Sequence, residues 1–321
     1  MSQKYPKSIS IYRSLQLRHH QLRITENRKF IDKRAKELRE ILDVPYFVGF
    51  IFDGETSLLA SGNFPESDHF ALIMDWLDQE KPAAFSGIAL DVGAHVGFHT
   101  CLFSNYFKRI VSFEPHPFTH QLLRFNTSFF QSRSDISVED PAGQTRASHH
   151  LGKVSIETFQ LALTDFDGSA KIHVNKKNNL GATSLIQNAH DRSRHEFDVQ
   201  CSRLDSISLS ARISFMKVDI ENSEYEFLLG ARETILRDKP VIVMEDWESG
   251  NGGKSRAVSL LIELGYRVFL EPSIVPTRHS LLTKPIASLK KLTRNGFQIN
   301  LTPIDFMSAK QGYQVMVCLP E

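Results

Sequence analysis

The feature that most limits the fold is an alternation that begins at residue 86. Apolar runs GIALDVG, RIVSFEP, VSIETFQLALTD, ISFMKVDI, VIVMED and YRVFLE are separated by HVGFHTCLFSNYF, PFTHQLLRFNTSFF, SEYEFLLGARETILRD and SRAVSLLIELG. Short apolar runs of this kind are strands covered on both faces, and the stretches between them carry helical periodicity. Parallel strands need long crossovers, usually helices, so the pattern predicts an α/β domain with a mostly parallel sheet between helical layers. Pro117 opens the second helix at its first turn. SAKIHV and FDVQCSRL read as β segments around the polar stretch 175–195, and YQVMVCLP reads as a closing strand. Residues 131–153 read as a surface loop and 272–309 as a basic, Pro-containing insert.

The segment before this alternation has another character. Residues 12–42 mix Leu and Ile at spacings of three and four with many Arg and Lys, which predicts one or two basic amphipathic helices. Asp53-Gly54 joins two short apolar runs as a hairpin signal. Residues 67–81 form the next expected helix, with Ser67 or Asp68 as its N-cap. Residues 1–80 are therefore expected to be a mainly helical extension with a hairpin, and 81–321 the main domain. Formal charge sums to +1, so no overall field directs the chain to nucleic acid. Cys101, Cys201 and Cys318 lack metal or redox spacing. The N-terminus has no apolar core of a signal peptide, and no stretch approaches the roughly 18 apolar residues of a membrane span. A cytoplasmic protein is the expectation; oligomeric state is not encoded in any readable feature.

LDVGAHVGFHT, residues 90–100, carries the first functional signal. In doubly wound sheets ligands lie beyond the carboxyl ends of the strands. Asp91 ends the first strand, Gly93 and Gly97 frame the turn into the first helix, and Glu114 ends the second strand. Glycines admit close backbone approach, a helix N-terminus offers N–H groups to an anion, and a carboxylate at the second strand can accept both hydroxyls of a ribose. The dinucleotide fingerprint G-x-G-x-x-G, registered on Gly93, meets His95 and Phe98 at its other two glycine positions. S-adenosylmethionine, with a ribose and a single carboxylate, fits this pattern better. His99 and Thr100, in the first helical turn, are either cofactor contacts or surface residues; Thr100 is counted with the cofactor set. Cys101 reads as packing.

DVGAHVGFHT, FEPHP, LALTDFDGSAKIHV, GATSL, SRLDSI, KVDIENSEYEFLLGA and PVIVMED occur in the order seen in the FkbM family of S-adenosylmethionine-dependent methyltransferases, which the chain resembles over roughly residues 86–270. The resemblance implies the class I methyltransferase fold, a Rossmann-like seven-stranded sheet in the order 3-2-1-4-5-7-6. Its last strand is antiparallel, here YQVMVCLP entering beside YRVFLE as a hairpin. It implies a cofactor loop of Asp91, Gly93 and Gly97, a ribose ligand in Glu114, and Ala162 and Asp165 near the adenine. It also implies that Asp219 faces the methyl-transfer region. Two positions depart from the family pattern: His95 stands where Asn is usual, and Asn222 stands where D-x-E-G-x-E has Gly. If that glycine is left-handed, Asn is among the least costly replacements.

Methyl transfer to a hydroxyl needs alignment and removal of one proton. Asp219, Glu221, Glu245 and Asp246 gather at the ends of adjacent strands. They supply one base with structural acids or, as the less favoured reading, an oxygen-ligand site for Mg²⁺. His95, His99, His116 and His120 are minor candidates for the base, and Glu224 reads as a first-turn helix acid. FkbM relatives act mainly on hydroxyls of sugars and macrolide-type products, so the resemblance implies O-methylation of a saccharide or related natural product. Trp247 suits stacking on a sugar face or a place in the core. Two other readings share the fold: a protein that binds S-adenosylmethionine without turnover, and a nucleotide- or phosphate-binding protein using the basic N-terminal segment with Lys284, Lys290, Lys291 and Arg294. The presence of Glu114 weighs against the first, and the scarcity of interleaved aromatics against a nucleic-acid partner.

Overall fold

The structure is a computed structural model that describes residues 65–131, 154–173, 196–249, 253–276, 297–307 and 312–321. The segments expected to form basic helices (12–42) and a hairpin (at Asp53-Gly54), the Gly181–Leu185 motif, and Lys284, Lys290, Lys291 and Arg294 lie outside the described residues.

The elements are, in chain order, α1 (Pro65–Glu80), β1 (Ile88–Val92), α2 (Phe98–Phe103), β2 (Arg109–Phe113), α3 (Pro117–Gln131), β3 (Ser155–Phe159), β4 (Ala162–Leu163), β5 (Gly168–His173), β6 (Glu196–Ser202), β7 (Ile213–Val218), α4 (Glu224–Gly230), α5 (Arg232–Asp238), β8 (Val241–Asp246), α6 (Arg256–Glu263), β9 (Tyr266–Pro276), β10 (Phe297–Pro303) and β11 (Tyr313–Pro320). Eight strands form one sheet in the order β10-β9-β11-β8-β7-β1-β2-β3. β1, β2, β3, β7 and β8 run parallel, and β11 lies antiparallel between β8 and β9. The insert read as irregular from sequence contributes β10, an eighth strand antiparallel to β9 at the sheet edge. The immediate hairpin partner of β9 is thus β10, and β11 enters later.

Alternation along the central strands sends successive side chains to two cores. Ile88, Leu90, Met216, Val218, Ile242 and Met244 pack against Phe227, Leu228, Ile235, Val258 and Leu261 from α4, α5 and α6. Ala89, Ile110, Phe215, Val243 and Val317 face the other way, against Phe103 and against Phe70, Ile73, Met74 and Leu77 of α1. α1 begins two residues before the expected caps, on Pro65, whose fixed φ suits a first turn. It lies N-terminal to residue 81, yet its apolar stripe is part of this second core.

Two segments read as single elements are divided. The expected third strand breaks after Phe159, whose carbonyl accepts the Glu114 N–H, and Ala162 and Leu163 join a separate sheet of order β4-β6-β5. The helix expected over 223–238 breaks at Ala231 (φ −112°). Gly230 explains the break: a Cβ there would lie 1.9 Å from the Thr164 carbonyl, so the chain after β4 presses directly on the helix backbone. The second half, α5, is capped from outside, because Asp205 accepts the N–H groups of Glu233 at 3.0 Å and Thr234 at 2.8 Å. Cys101, Cys201 and Cys318 are buried thiols. Among the described residues no helix is long and apolar enough to cross a membrane.

Candidate functional site

Strand register brings the polar residues together before any ligand is considered. Asp91 stands opposite Ser112 on one neighbour and opposite Lys217 on the other. All three are buried on the face roofed by α1 and α2. Thr100, from α2, donates to Asp91 Oδ2 at 2.6 Å and lies 2.9 Å from Ser112 Oγ. Lys217 Nζ lies 3.7 Å from Asp91 Oδ1, 2.9 Å from Asp219 Oδ2 and 3.3 Å from the Gly93 carbonyl. Burial raises the Asp91 carboxyl above the usual range, opposed by the Lys217 ammonium and the Thr100 hydroxyl. Asp91 and Thr100 are thus wholly enclosed and hold the base of the turn rather than lining its surface.

The turn itself is left-handed at three residues, with φ of 77° at Gly93, 49° at His95 and 91° at Gly97. Gly93 and Ala94 donate to the Phe113 carbonyl at 3.0 and 2.9 Å, which ties the turn to the end of β2. The role of Gly93 is packing of the protein on itself: a Cβ would lie 1.8 Å from the Asp219 carbonyl of the adjoining turn. Gly93→Ala therefore combines about 1–2 kcal/mol for the left-handed conformation with a backbone overlap that must be relieved. The expected result is a clear fall in the urea midpoint. Gly253→Ala, with nothing within 4 Å of the new methyl, serves as the control. Equal midpoints would remove the contact argument.

Glu114 sits at the tip of β2, and its two oxygens are held by different segments. The His95 N–H donates to Oε2 at 2.9 Å and the His116 N–H to Oε1 at 2.8 Å. Burial pushes the carboxyl up to about 7 despite these bonds. Each oxygen of a carboxylate can accept more than one hydrogen bond. A vicinal diol would supply the donors that would offset the desolvation, so the residue fits a ribose. The identity of His95 matters less than its backbone, since its contact with Glu114 is through the main-chain N–H. His116 is pushed down to about 4 by burial and then by His95, and its ring lies 4.7 Å from that of Phe197. His99 is held well below its usual range by burial and packs 4.3 Å from Phe70. On the far side, Ala162 is buried in β4, and Asp165 is exposed, accepting from the Thr164 hydroxyl at 3.1 Å.

A small cavity opens at the ends of β7, β8 and β11, lined by Phe70, Lys217, Val218, Asp219, Val243, Met244, Glu245, Gln314 and Val315. Of the acids expected to converge, it brings together Asp219 and Glu245. Asp219 remains 31% exposed, and Glu245 Oε2 accepts from the Trp247 indole N–H at 2.7 Å. Trp247 is 53% exposed, which settles it as a surface rather than a core residue. Glu221 and Asn222 form the left-handed turn after Asp219, with φ of 53° and 70°; Asn is one of the residues that tolerates that region. Asp246 is buried against Ser249, whose Oγ accepts from the Ser255 N–H, and anchors the entry to α6. Glu224 reaches back to the Ile220 N–H at 3.3 Å, and burial raises it to about 7.

Only Asp219 and Glu245 of the lining residues are assigned a site role from the sequence; Lys217, Phe70 and Gln314 are among those it did not assign. Lys217 had a readable signal: an ammonium in the apolar run ISFMKVDI implies an acidic partner on a neighbouring strand. Phe70 and Gln314 had none, since each reaches the cavity from an element distant in sequence.

A parallel sheet whose carboxyl edge carries a left-handed turn, a buried carboxylate at a strand tip and an adjoining acidic cavity has the position and the groups of a ligand site in this class of fold. Residues 91–268, more than half of the chain, match the family model described as Methyltransferase FkbM domain, and the chain belongs to that methyltransferase family. The methyltransferase sdnD of Sordaria araneosa is 25% identical over 218 residues, covering 60% of this chain and 79% of that protein. Among solved structures, the methyltransferase FkbM of Methylobacillus flagellatus KT overlaps 50% of this chain and 32% of its own, at 18% identity and a TM-score of 0.31. A putative O-methyltransferase of Klebsiella pneumoniae overlaps 97% of this chain and 96% of its own, at 10% identity and a TM-score of 0.35. Overlaps at these scores carry no functional argument.

Proposed function

We propose that the protein is an S-adenosylmethionine-dependent O-methyltransferase whose acceptor is a hydroxyl of a saccharide or related natural product. The observation that carries the cofactor reading is Glu114, a buried carboxylate at the tip of β2 fixed by two backbone N–H groups from the segments on either side. When bound, the cofactor would supply an activated methyl on a sulfonium sulfur, with the acceptor oxygen as the attacking atom and the thioether as the leaving group. The protein's part is orientation, exclusion of water and handling of one proton. Glu114 fixes the ribose, and the Gly93–Gly97 turn shapes the space beside it. Phe70, Val243 and Val315 wall the cavity with apolar surface, while Asp219 and Glu245 are placed to receive the hydroxyl proton. Exposed Trp247, bonded to Glu245, offers a flat face next to this opening, which favours a sugar.

Calorimetry with S-adenosylmethionine and S-adenosylhomocysteine tests the cofactor, with affinity expected in the micromolar range or tighter, about −7 to −9 kcal/mol. A mass-spectrometric screen of glycans and small hydroxylated products for the gain of one methyl tests the acceptor. Binding without transfer to any acceptor class would favour the non-catalytic reading, and transfer to an amine or carbon would overturn O-methylation.

A further inference from the structure

We infer that Lys217 is a positioning residue that locks the cofactor turn after β1 to the acceptor turn after β7; the inference rests on the methyl-transfer reading above. The two turns touch along their backbones. Asp219 N–H continues the ladder by donating to the Val92 carbonyl at 3.0 Å, and Gly93 lies against the Asp219 carbonyl so closely that no Cβ fits between them. Each turn is left-handed, at Gly93, His95 and Gly97 on one side and at Glu221 and Asn222 on the other. Non-glycine residues in that region persist only where their surroundings hold them. A single ammonium reaches both turns: the Gly93 carbonyl at 3.3 Å and Asp219 Oδ2 at 2.9 Å, with Asp91 Oδ1 at 3.7 Å beneath.

A structural charge pair would need only Asp91, which stands directly opposite Lys217 in the β1–β7 register. The side chain does more than this. It also lines the cavity with Asp219, and its Nζ donates to a carbonyl of the segment that shapes the cofactor side. An ammonium has three donors and no acceptor, so it can hold several oxygens at once from one fixed point. Orientation of the acceptor-side carboxylate relative to the donor-side turn thus depends on one residue that is 4% exposed.

Removing Lys217 alone would strand the Asp91 charge, so the decisive variant removes both: Asp91→Asn/Lys217→Met. Lys217→Arg, which keeps the charge, is the conservative comparison. In ligand-free protein, the double variant is expected to keep a cooperative thermal transition while amide exchange at Gly93, Ala94 and Asp219 accelerates by about tenfold or more. Its affinities for S-adenosylmethionine and S-adenosylhomocysteine are expected to fall by about tenfold, with Lys217→Arg recovering most of the loss. Exchange at wild-type rates in the double variant would overturn the inference and leave Lys217 as the partner of Asp91 alone. If the wild type binds neither ligand, the cofactor reading fails while the exchange result still decides whether Lys217 holds the two turns.

Discussion

Glu114→Gln is expected to lower S-adenosylmethionine affinity by about 10²- to 10³-fold, the loss of one or two hydrogen bonds to a charged acceptor at roughly 1.5–3 kcal/mol each. The amide keeps the shape but turns an NH₂ toward one of the two backbone donors, His95 N–H or His116 N–H, and toward one hydroxyl of the diol. The same carboxyl gives the wild type a pH signature. Burial raises it from 4.5 to about 7 in the folded protein. Between those values the folded chain keeps a proton that the unfolded chain has lost, so the ligand-free protein loses stability as pH rises through that window. A diol prefers the ionised form, so affinity is expected to rise with pH up to about 7 and then level, with release of up to one proton on binding below it. Glu224 and Asp91 are also raised by burial, so the contribution of Glu114 is read as the difference between wild type and Glu114→Gln. Calorimetry in buffers of different ionisation enthalpy measures it. Equal affinity in the variant, or a wild-type affinity that does not change from pH 6 to 8, would remove the ribose assignment.

For chemistry, Asp219→Asn is expected to reduce kcat by about 10²- to 10⁴-fold, the range for loss of a general base, on the acceptor that gains a methyl in the screen. Lys217 holds one of its oxygens at 2.9 Å, and the group is still 31% exposed at the cavity. The amide cannot take the proton, but its Oδ1 can still accept from Lys217, and Glu114 and its two backbone donors are untouched. Cofactor affinity is therefore expected to stay within about threefold, which separates this variant from Glu114→Gln. Treatment with EDTA should leave the rate unchanged if a carboxylate alone takes the proton; a rate restored by added Mg²⁺ would favour metal activation of the hydroxyl. Wild-type turnover in Asp219→Asn would move the base to Glu245 or Glu221.

The sequence made the domain legible because buried parallel strands and their crossover helices have different periods, and both recur from residue 86 onward. It placed Asp91, Gly93, Gly97 and Glu114 at one edge because strand ends are visible as the point where an apolar run meets an acid or a glycine. Which carboxylate is sealed beneath the turn could not be read in that way. Asp91 and Glu114 look alike in sequence, yet Asp91 is sealed beneath the turn by Thr100, Ser112 and Lys217, whereas Glu114 stands at the tip held by backbone N–H groups. The breaks after Phe159 and at Ala231 were hidden for a related reason. Each follows from another segment pressing on the backbone, and local propensity carries no record of that contact.

By itself, then, the order of residues determined the layered α/β architecture, the strand ends that carry Asp91 and Glu114, and the left-handed tolerance of Asn222. Only the tertiary structure decided that β10 extends the sheet, that Phe70 from α1 and Gln314 from β11 wall the cavity, and that Lys217 stands between two turns. The division has a physical cause. Periodicity and turn chemistry act over a few neighbouring residues, whereas register and burial depend on which distant strands lie side by side.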